Sequence, residues 1–266
     1  MKRRLLNDMM NMLFYKFHGA GNDFIMIDNR KSILLTNNEI ARMCARHTGI
    51  GADGLILLEQ LPNVDFKMRY FNADGGEASF CGNGGRCAVA FAHYLKIIKK
   101  HCRFQAFDGC HHAEILEYAE YKWIVRLEMK KPAPIQIFED GFFIDTGSPH
   151  FVVFCDDVHA VDVEMEGRKL RYDMRFEEGG GTNVNFVMPF QEGIFVRTYE
   201  RGVEAETLSC GTGITASACV YATQKEKISD AAIPVYTRGG RFQVELSPAQ
   251  LGLVGPVELC FCGEKV

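Results

Sequence analysis

Two stretches, Glu77-Ala-Ser-Phe-Cys81-Gly-Asn-Gly84 and Glu206-Thr-Leu-Ser-Cys210-Gly-Thr-Gly213, share the pattern E-x-x-x-C-G-x-G, with their cysteines 129 positions apart. What precedes them repeats as well. The strand-like Met68-Arg-Tyr-Phe71 runs into the turn Asn72-Ala-Asp-Gly-Gly76, and Phe195-Val-Arg-Thr-Tyr199 runs into Glu200-Arg-Gly-Val-Glu204, so that Arg69 and Arg197 lie 128 apart. A single such motif says little, but a strand, a turn and a motif recurring together imply an internal duplication. After each cysteine comes an alanine-rich run, Cys87-Ala-Val-Ala-Phe-Ala-His-Tyr-Leu95 and Ile214-Thr-Ala-Ser-Ala-Cys-Val-Tyr-Ala222, apolar on nearly every side. A helix without a polar face has to be covered all round. Short alternating runs predict strands at Leu13–Phe17, Phe24–Ile27, Leu55–Leu58, Ile124–Leu127, Phe151–Phe154, Val184–Val187 and Phe242–Leu246. The expected fold class is α+β, with two pseudo-symmetric domains from a duplication, each a mixed or antiparallel sheet wrapped around a central buried helix. Lys130-Lys-Pro-Ala-Pro134 punctuates the halves, because its prolines impose an extended connector. This predicts one domain over 12–130 and a second over 131–255.

Bulk properties narrow the function. The chain has 266 residues, 47% hydrophobic and 24% charged, which is enough to bury a core in each half. A net charge of −4 with no basic run argues against a nucleic-acid partner. No apolar run approaches the ~20 residues needed to span a bilayer, so no membrane association is expected. The basic start, Met1-Lys-Arg-Arg4, resembles the front of a signal peptide, yet Asn7, Asp8 and Asn11 interrupt the apolar core that export requires. Residues 1–11 are expected to be a disordered tail or an over-extended start, and the protein to be cytoplasmic. Ten cysteines without an export signal read as reduced thiols. Six of them, Cys44, Cys87, Cys102, Cys155, Cys219 and Cys260, are expected to be small buried hydrophobes.

Cys81 and Cys210 differ from those six by their glycines. A thiol has an ordinary pKa of about 8.5 and is a poor base until ionised. Placement at a helix N-terminus favours the thiolate, and the same free N–H groups can hold a carboxylate. Glycines at 82, 84, 211 and 213 let a ligand approach the backbone. Two such units facing one α-carbon would let one thiolate remove its proton while the opposite thiol delivers another. Backbone donors would stabilise the developing charge without pyridoxal phosphate. The pair therefore points to a cofactor-independent amino-acid epimerase, with no metal.

The motifs Phe17-His-Gly-Ala-Gly-Asn22-Asp-Phe, His47-Thr-Gly-Ile-Gly-Ala-Asp53, Phe71-Asn72-Ala-Asp-Gly, Cys81-Gly-Asn-Gly-Gly-Arg86, Tyr199-Glu200-Arg201-Gly202 and Cys210-Gly-Thr-Gly, in that order, resemble the diaminopimelate epimerases over nearly the whole chain. The resemblance implies conversion of LL-2,6-diaminopimelate to the meso form in lysine and peptidoglycan precursor synthesis. It implies no cofactor, a small-molecule substrate, a cytoplasmic homodimer, and a C-terminal strand, 256–266, that returns to the first domain. It assigns Cys81 and Cys210 as the acid/base pair, with His150 and Glu200 in support. Gly82, Asn83, Gly211 and Thr212 would line the reacting carboxylate, and Asn22, Asn72, Asn183, Glu200 and Arg201 would contact substrate. The residue types fit such a substrate, since a molecule with an amino-acid group at each end needs a cation and amides for carboxylate and acceptors for ammonium. The chain departs from the family pattern at Ser148 and Gly54, which are left outside the expected site.

Proline-type racemases also use paired cysteines, but their ring substrate lacks the distal group that Asn72, Asn183 and Arg201 would read. A thiol hydrolase using one cysteine with His150 as its base, and a non-catalytic amino-acid binder, are rivals of other classes. Cys102 with Cys110-His111-His112 lacks a standard zinc spacing and is expected to be an exposed loop. The glycines of Glu177-Glu-Gly-Gly-Gly181 are expected to form a flexible loop rather than a phosphate cradle, since no Lys-Ser/Thr follows.

Overall fold

The computed structural model describes residues 12–225 and 231–265, so the expected tail at 1–11 lies outside the described residues. The chain divides into two compact units, one running up to Leu127 and resuming at Pro256, the other spanning Glu128–Gly255. Lys130 to Pro134 adopt neither helix nor strand, as two closely spaced prolines require.

In the first unit, hydrogen-bonded neighbours run in the order Met12–Gly19, Asn22–Asp28, Gly54–Glu59, Phe66–Asn72, His101–Ala106, Gly109–Ala119, Lys122–Met129 and Leu251–Lys265. The last of these pairs back onto Met12–Gly19, closing an eight-stranded barrel. The pairings between the second and third and between the fourth and fifth strands are parallel, and the others given for this unit are antiparallel. Helix α1, Asn37–Cys44, lies in the first parallel crossover and is closed by a Thr36/Glu39 capping box. Helix α2, Gly82–Tyr94, lies in the second, with Asn83 through Ala92 all buried.

The second unit repeats this plan. Gly141–Asp145, Pro149–Phe154, Asn183–Phe190, Gly193–Glu200, Ala231–Thr237, Gly240–Leu246 and the start of Leu251–Lys265 follow in order, again with parallel pairings at the second and fourth steps. Gln136–Phe138 adds an edge strand. Helix α3, Val163–Arg171, is capped by Asp162 and occupies the position of α1. Helix α4, Gly211–Gln224, occupies that of α2, with Gly213 through Val220 buried. Helices this rich in alanine can be enclosed because small side chains let strands approach from every side.

The glutamate of the repeated motif has a structural task in both units. Arg69 grips Glu77 through two bonds of 2.8 and 2.9 Å, and Arg197 grips Glu206 through two of 2.8 Å. Each clamp ties the segment before the cysteine to the strand that leads into it.

Two expectations need correction. Cys110, His111 and His112 lie in the strand Gly109–Ala119, not in an exposed loop. His111 is buried, stacked on Phe80 at a centroid distance of 4.0 Å and paired with Asp108 at 2.7 Å. Strand alternation turns His111 inward while Cys110 and His112 face out. Cys260 is exposed because it falls where the last strand leaves cover, and Cys155 is half-buried; Cys44, Cys87, Cys102 and Cys219 are buried as expected.

Candidate active site

Cys81 and Cys210 are the N-cap residues of α2 and α4, with nearly identical backbones (φ −115°, ψ 123° and φ −114°, ψ 112°). Neither side chain caps its own helix. The first-turn N–H groups are therefore not spent on a side-chain cap and can meet an anion, which favours thiolate and carboxylate alike. Glycine at 213 is forced, since a Cβ there would stand 2.3 Å from Asn185 Oδ1 and 3.3 Å from His150 Cε1.

Around Cys81 the first unit brings together Asn22, Asn83 and Arg86. The Cys81 thiol faces Asn22 Oδ1 at 3.7 Å, and Asn83 Nδ2 donates to the same oxygen at 3.4 Å. Arg86 donates to Asn83 Oδ1 at 2.6 Å, while Asn22 Nδ2 donates to Asp53 at 2.7 Å. Arginine only donates and carboxylate only accepts, so both ends dictate the same orientation for the two amides. Asp53 in turn meets Arg46, which also binds Asp23, and Asp23 pairs with Lys16 at 2.8 Å. Burial alone would raise Asp23, but hydrogen bonds from Arg46 and Lys16 overcome it and hold the carboxyl at about 2. Asn72 ends its strand with an exposed side chain and pairs in register with Gly54. A Cβ on Gly54 would meet Phe71 O and Tyr70 Cε2 at 2.5 Å, so close packing accounts for the departure at this position.

In the second unit Cys210 Sγ lies 3.5 Å from Thr212 Oγ1, and the Thr212 carbonyl accepts from Thr146 at 3.0 Å. His150 is fully buried. Asn185 Nδ2 donates to Phe151 O, an acceptor only, and at 3.1 Å to His150 Nδ1. Nδ1 is thus the acceptor and Nε2 carries the proton, with no hydrogen-bond partner among the described residues. Burial first, and then the charge of Arg201, pushes His150 down to about 3, so it is neutral. Glu200 accepts from Thr207 at 2.8 Å, and burial pushes its carboxyl above the ordinary range.

Asn183 spends its amide on bracing Arg201: Oδ1 accepts from the Arg201 backbone N–H at 2.9 Å, and Nδ2 donates to Ser148 and to Pro149 O. The Arg201 guanidinium reaches Gly179 O at 3.1 Å, Gly181 O at 3.5 Å and Ser148 Oγ at 3.4 Å. Glu177 to Gly179 belong to a 3-10 helix, Met174–Gly179, rather than to a flexible loop, and the carbonyls of Gly179 and Gly181 accept from a cation. Ser148, set aside on its departure from the family pattern, stands where Asn183 and Arg201 meet. Sequence reasoning also missed Asp53, Arg86 and Asn185, although Asp53 and Arg86 end motifs already singled out. Among the described residues no cluster of His, Cys, Asp or Glu could hold a metal, and no helix is long and apolar enough to cross a membrane.

The family model for diaminopimelate epimerase matches residues 14–131 and 142–258. A diaminopimelate epimerase of Flavobacterium psychrophilum is 47% identical over 259 residues, covering 94% of this chain and 98% of that one. One from Aquifex aeolicus is 43% identical, covering 86% and 88%. A Bacillus anthracis phenazine biosynthesis protein shares the fold with a TM-score of 0.75 at 14% identity, covering 97% of this chain and all of that one. A predicted epimerase from Pseudomonas aeruginosa does so with a TM-score of 0.70 at 13% identity, covering 95% and 98%. Two matched blocks that together span most of the chain, with relatives of this identity at nearly full length, settle the grouping: the chain belongs to the diaminopimelate epimerase family.

Proposed function

We propose that the protein interconverts LL- and meso-2,6-diaminopimelate without pyridoxal phosphate, with Cys81 and Cys210 as the two proton-transfer groups. The observation that carries this reading is the pair of thiols, each the uncapped N-cap of a buried helix, in a chain of this family. Inversion at an α-carbon removes a proton from one face and returns one to the other, so it needs two groups, each able to act as acid or base. Helix-entry N–H groups at Gly82–Asn83 and Gly211–Thr212 would hold the reacting carboxylate and take up the charge that develops on it. Asn22, Asn72 and Arg201 would read the rest of the substrate, with Asn183 and Ser148 holding Arg201 in place. His150, neutral with a free Nε2–H, is a donor that stabilises charge. It has no lone pair at Nε2 to serve a thiol hydrolase as base, which counts against that alternative. We further propose a cytoplasmic homodimer, which analytical ultracentrifugation of the purified protein tests.

The decisive experiment incubates the purified protein with LL-diaminopimelate in D2O and resolves the stereoisomers. Appearance of the meso isomer with deuterium at the inverted α-carbon is expected. Unchanged substrate, or conversion of proline instead, overturns the reading.

A further inference from the structure

Two arginines of the second unit share one glycine run, on alternate carbonyls. Arg201 donates to Gly179 O and Gly181 O, and Arg171, the last residue of α3, donates to Gly180 O at 3.0 Å. Their charges are met differently. Arg171 is buried and paired with Glu204, whose Oε1 accepts from Arg171 Nε at 3.2 Å and Nη2 at 3.0 Å. Arg201 has two carbonyls and the Ser148 hydroxyl, and no acidic partner among the described residues. Its guanidinium carries five N–H groups and places three on these acceptors, so Nε–H and one N–H of Nη2 are left for a carboxylate. A Cβ on Gly181 would run into the Arg171 guanidinium and stand 2.6 Å from the Arg171 carbonyl, so glycine there is what admits Arg171.

Glu204 closes the turn that follows Arg201, Gly202-Val203-Glu204, and its backbone is left-handed at φ 60°. Glycine adopts that conformation freely, whereas a residue with a Cβ does so at a cost. What glutamate adds is its carboxylate. Besides Arg171, Oε1 accepts from the Gly202 N–H at 3.0 Å, and Oε2 accepts from the Tyr172 hydroxyl at 3.0 Å. The Glu204 carbonyl accepts from the Tyr199 hydroxyl at 2.9 Å. Burial alone would raise the Glu204 carboxyl, but bonds from Gly202, Tyr172 and Arg171 hold it below the ordinary range. The carboxylate thus ties the turn after Arg201 to Arg171, and Arg171 ties both to the glycine run. One of the joined segments supplies the acceptors of the Arg201 guanidinium, and the other continues its backbone.

We propose that Arg171 and Glu204 are positioning residues for Arg201. Their ion pair fastens the glycine run to the Gly202–Glu204 turn and so fixes where Arg201 presents its two remaining N–H groups to the non-reacting carboxylate of the substrate. Glu204 also answers the Arg171 charge and leaves the Arg201 charge to the ligand. A guanidinium already held in place loses less conformational freedom when the ligand arrives. The effect falls on binding rather than on proton transfer, since the hydrogen bonds of both side chains end on the turn, the glycine run and Tyr172. The inference rests on the reading of Arg201 as a substrate contact.

Steady-state kinetics with LL-diaminopimelate, arranged as a double-mutant cycle with Arg201, test the proposal. Where a variant turns over too slowly to assay, calorimetric binding of the equilibrated isomer mixture replaces KM. Glu204→Gly removes the carboxylate and leaves a backbone that glycine adopts freely. It should raise KM about tenfold or more while kcat changes less than about threefold. On an Arg201→Ala background the same change should shift binding by less than about twofold. Glu204→Gln keeps the shape and removes the charge. It should raise KM about threefold or more, again only where Arg201 is present, and it decides the matter if Glu204→Gly does not fold. An unchanged KM in a folded variant, a loss confined to kcat, or an equal loss with and without Arg201 overturns the proposal. Failure of the reading of Arg201 itself would show differently, as Arg201→Ala binding substrate as well as the unaltered protein does.

Discussion

Around Cys81 lie two amides strung between Arg86 and Asp53, whereas Cys210 sits beside the Thr212 hydroxyl, and its helix packs Gly213 against a neutral imidazole and Asn185. The backbones of the two copies nevertheless agree within about ten degrees at the cysteine. Each copy also keeps its Arg–Glu clamp and its alanine-rich helix. Duplication here has preserved what places a thiol at a helix entry and let diverge the side chains around it.

The sharpest way to break the comparison is to remove one thiol at a time. Cys81→Ala and Cys210→Ala should each lower the rate of stereoisomer interconversion by about a thousandfold or more, with the double variant no worse than either single one. A single variant that keeps most of its activity would show that the copies are not partners in one reaction.

The clamps offer the next test. Arg197 and Glu206 are 13% and 9% exposed, against 32% and 39% for Arg69 and Glu77. Breaking a buried pair leaves an uncompensated charge, so Glu206→Ala should cost about 3–5 kcal/mol in urea unfolding. Glu77→Ala should cost about 0.2–1 kcal/mol, as exposed pairs do. Similar losses would mean that burial does not separate the two copies.

Methyl groups at the helix entries probe closeness of packing. Gly213→Ala drives Asn185 off His150 and Thr198, an expected loss of about 1–3 kcal/mol with reduced turnover. Gly84→Ala meets the flexible ends of Ile56 and Met68 at 3.0 and 3.3 Å, which can give way, so its thermal midpoint should fall less.

Acid should also separate the units. His150 binds no proton when folded until about pH 3 but binds one near 6.5 when unfolded. The unfolded state therefore takes up more protons between those values, and stability falls as pH drops through that window, by up to about 1.4 kcal/mol per unit. For Asp23, held at about 2 against an ordinary 3.8, the corresponding loss begins only below about pH 4. Hydrogen exchange at pH 5 should find α4 less protected relative to neutral pH while α2 is unchanged. The reverse order would place the acid-labile group in the first unit.

Much of this was legible because periodicity reports burial. The alternating runs lie within observed strands, and the apolar helices after each cysteine are enclosed. His111 escaped that logic, since a polar residue between two others carries no inward signal until Phe80 and Phe104 stack on it. Ser148 escaped because its hydroxyl acquires meaning only where Asn183 and Arg201, 35 and 53 residues distant, converge on it.

By itself the sequence determined that there are two copies, that a cysteine opens the buried helix of each, and that these two cysteines, alone of the ten, are followed by Gly-x-Gly. Those facts are local: they follow from motif, glycine and hydrophobic period within some twenty consecutive residues. Only the tertiary structure decided that Arg86 lies wholly out of water, that the Asn22 and Asn83 amides face one way, and that His150 is a neutral donor. Each of these depends on which groups from distant strands exclude solvent and supply the opposing donor or acceptor, and no local pattern encodes that.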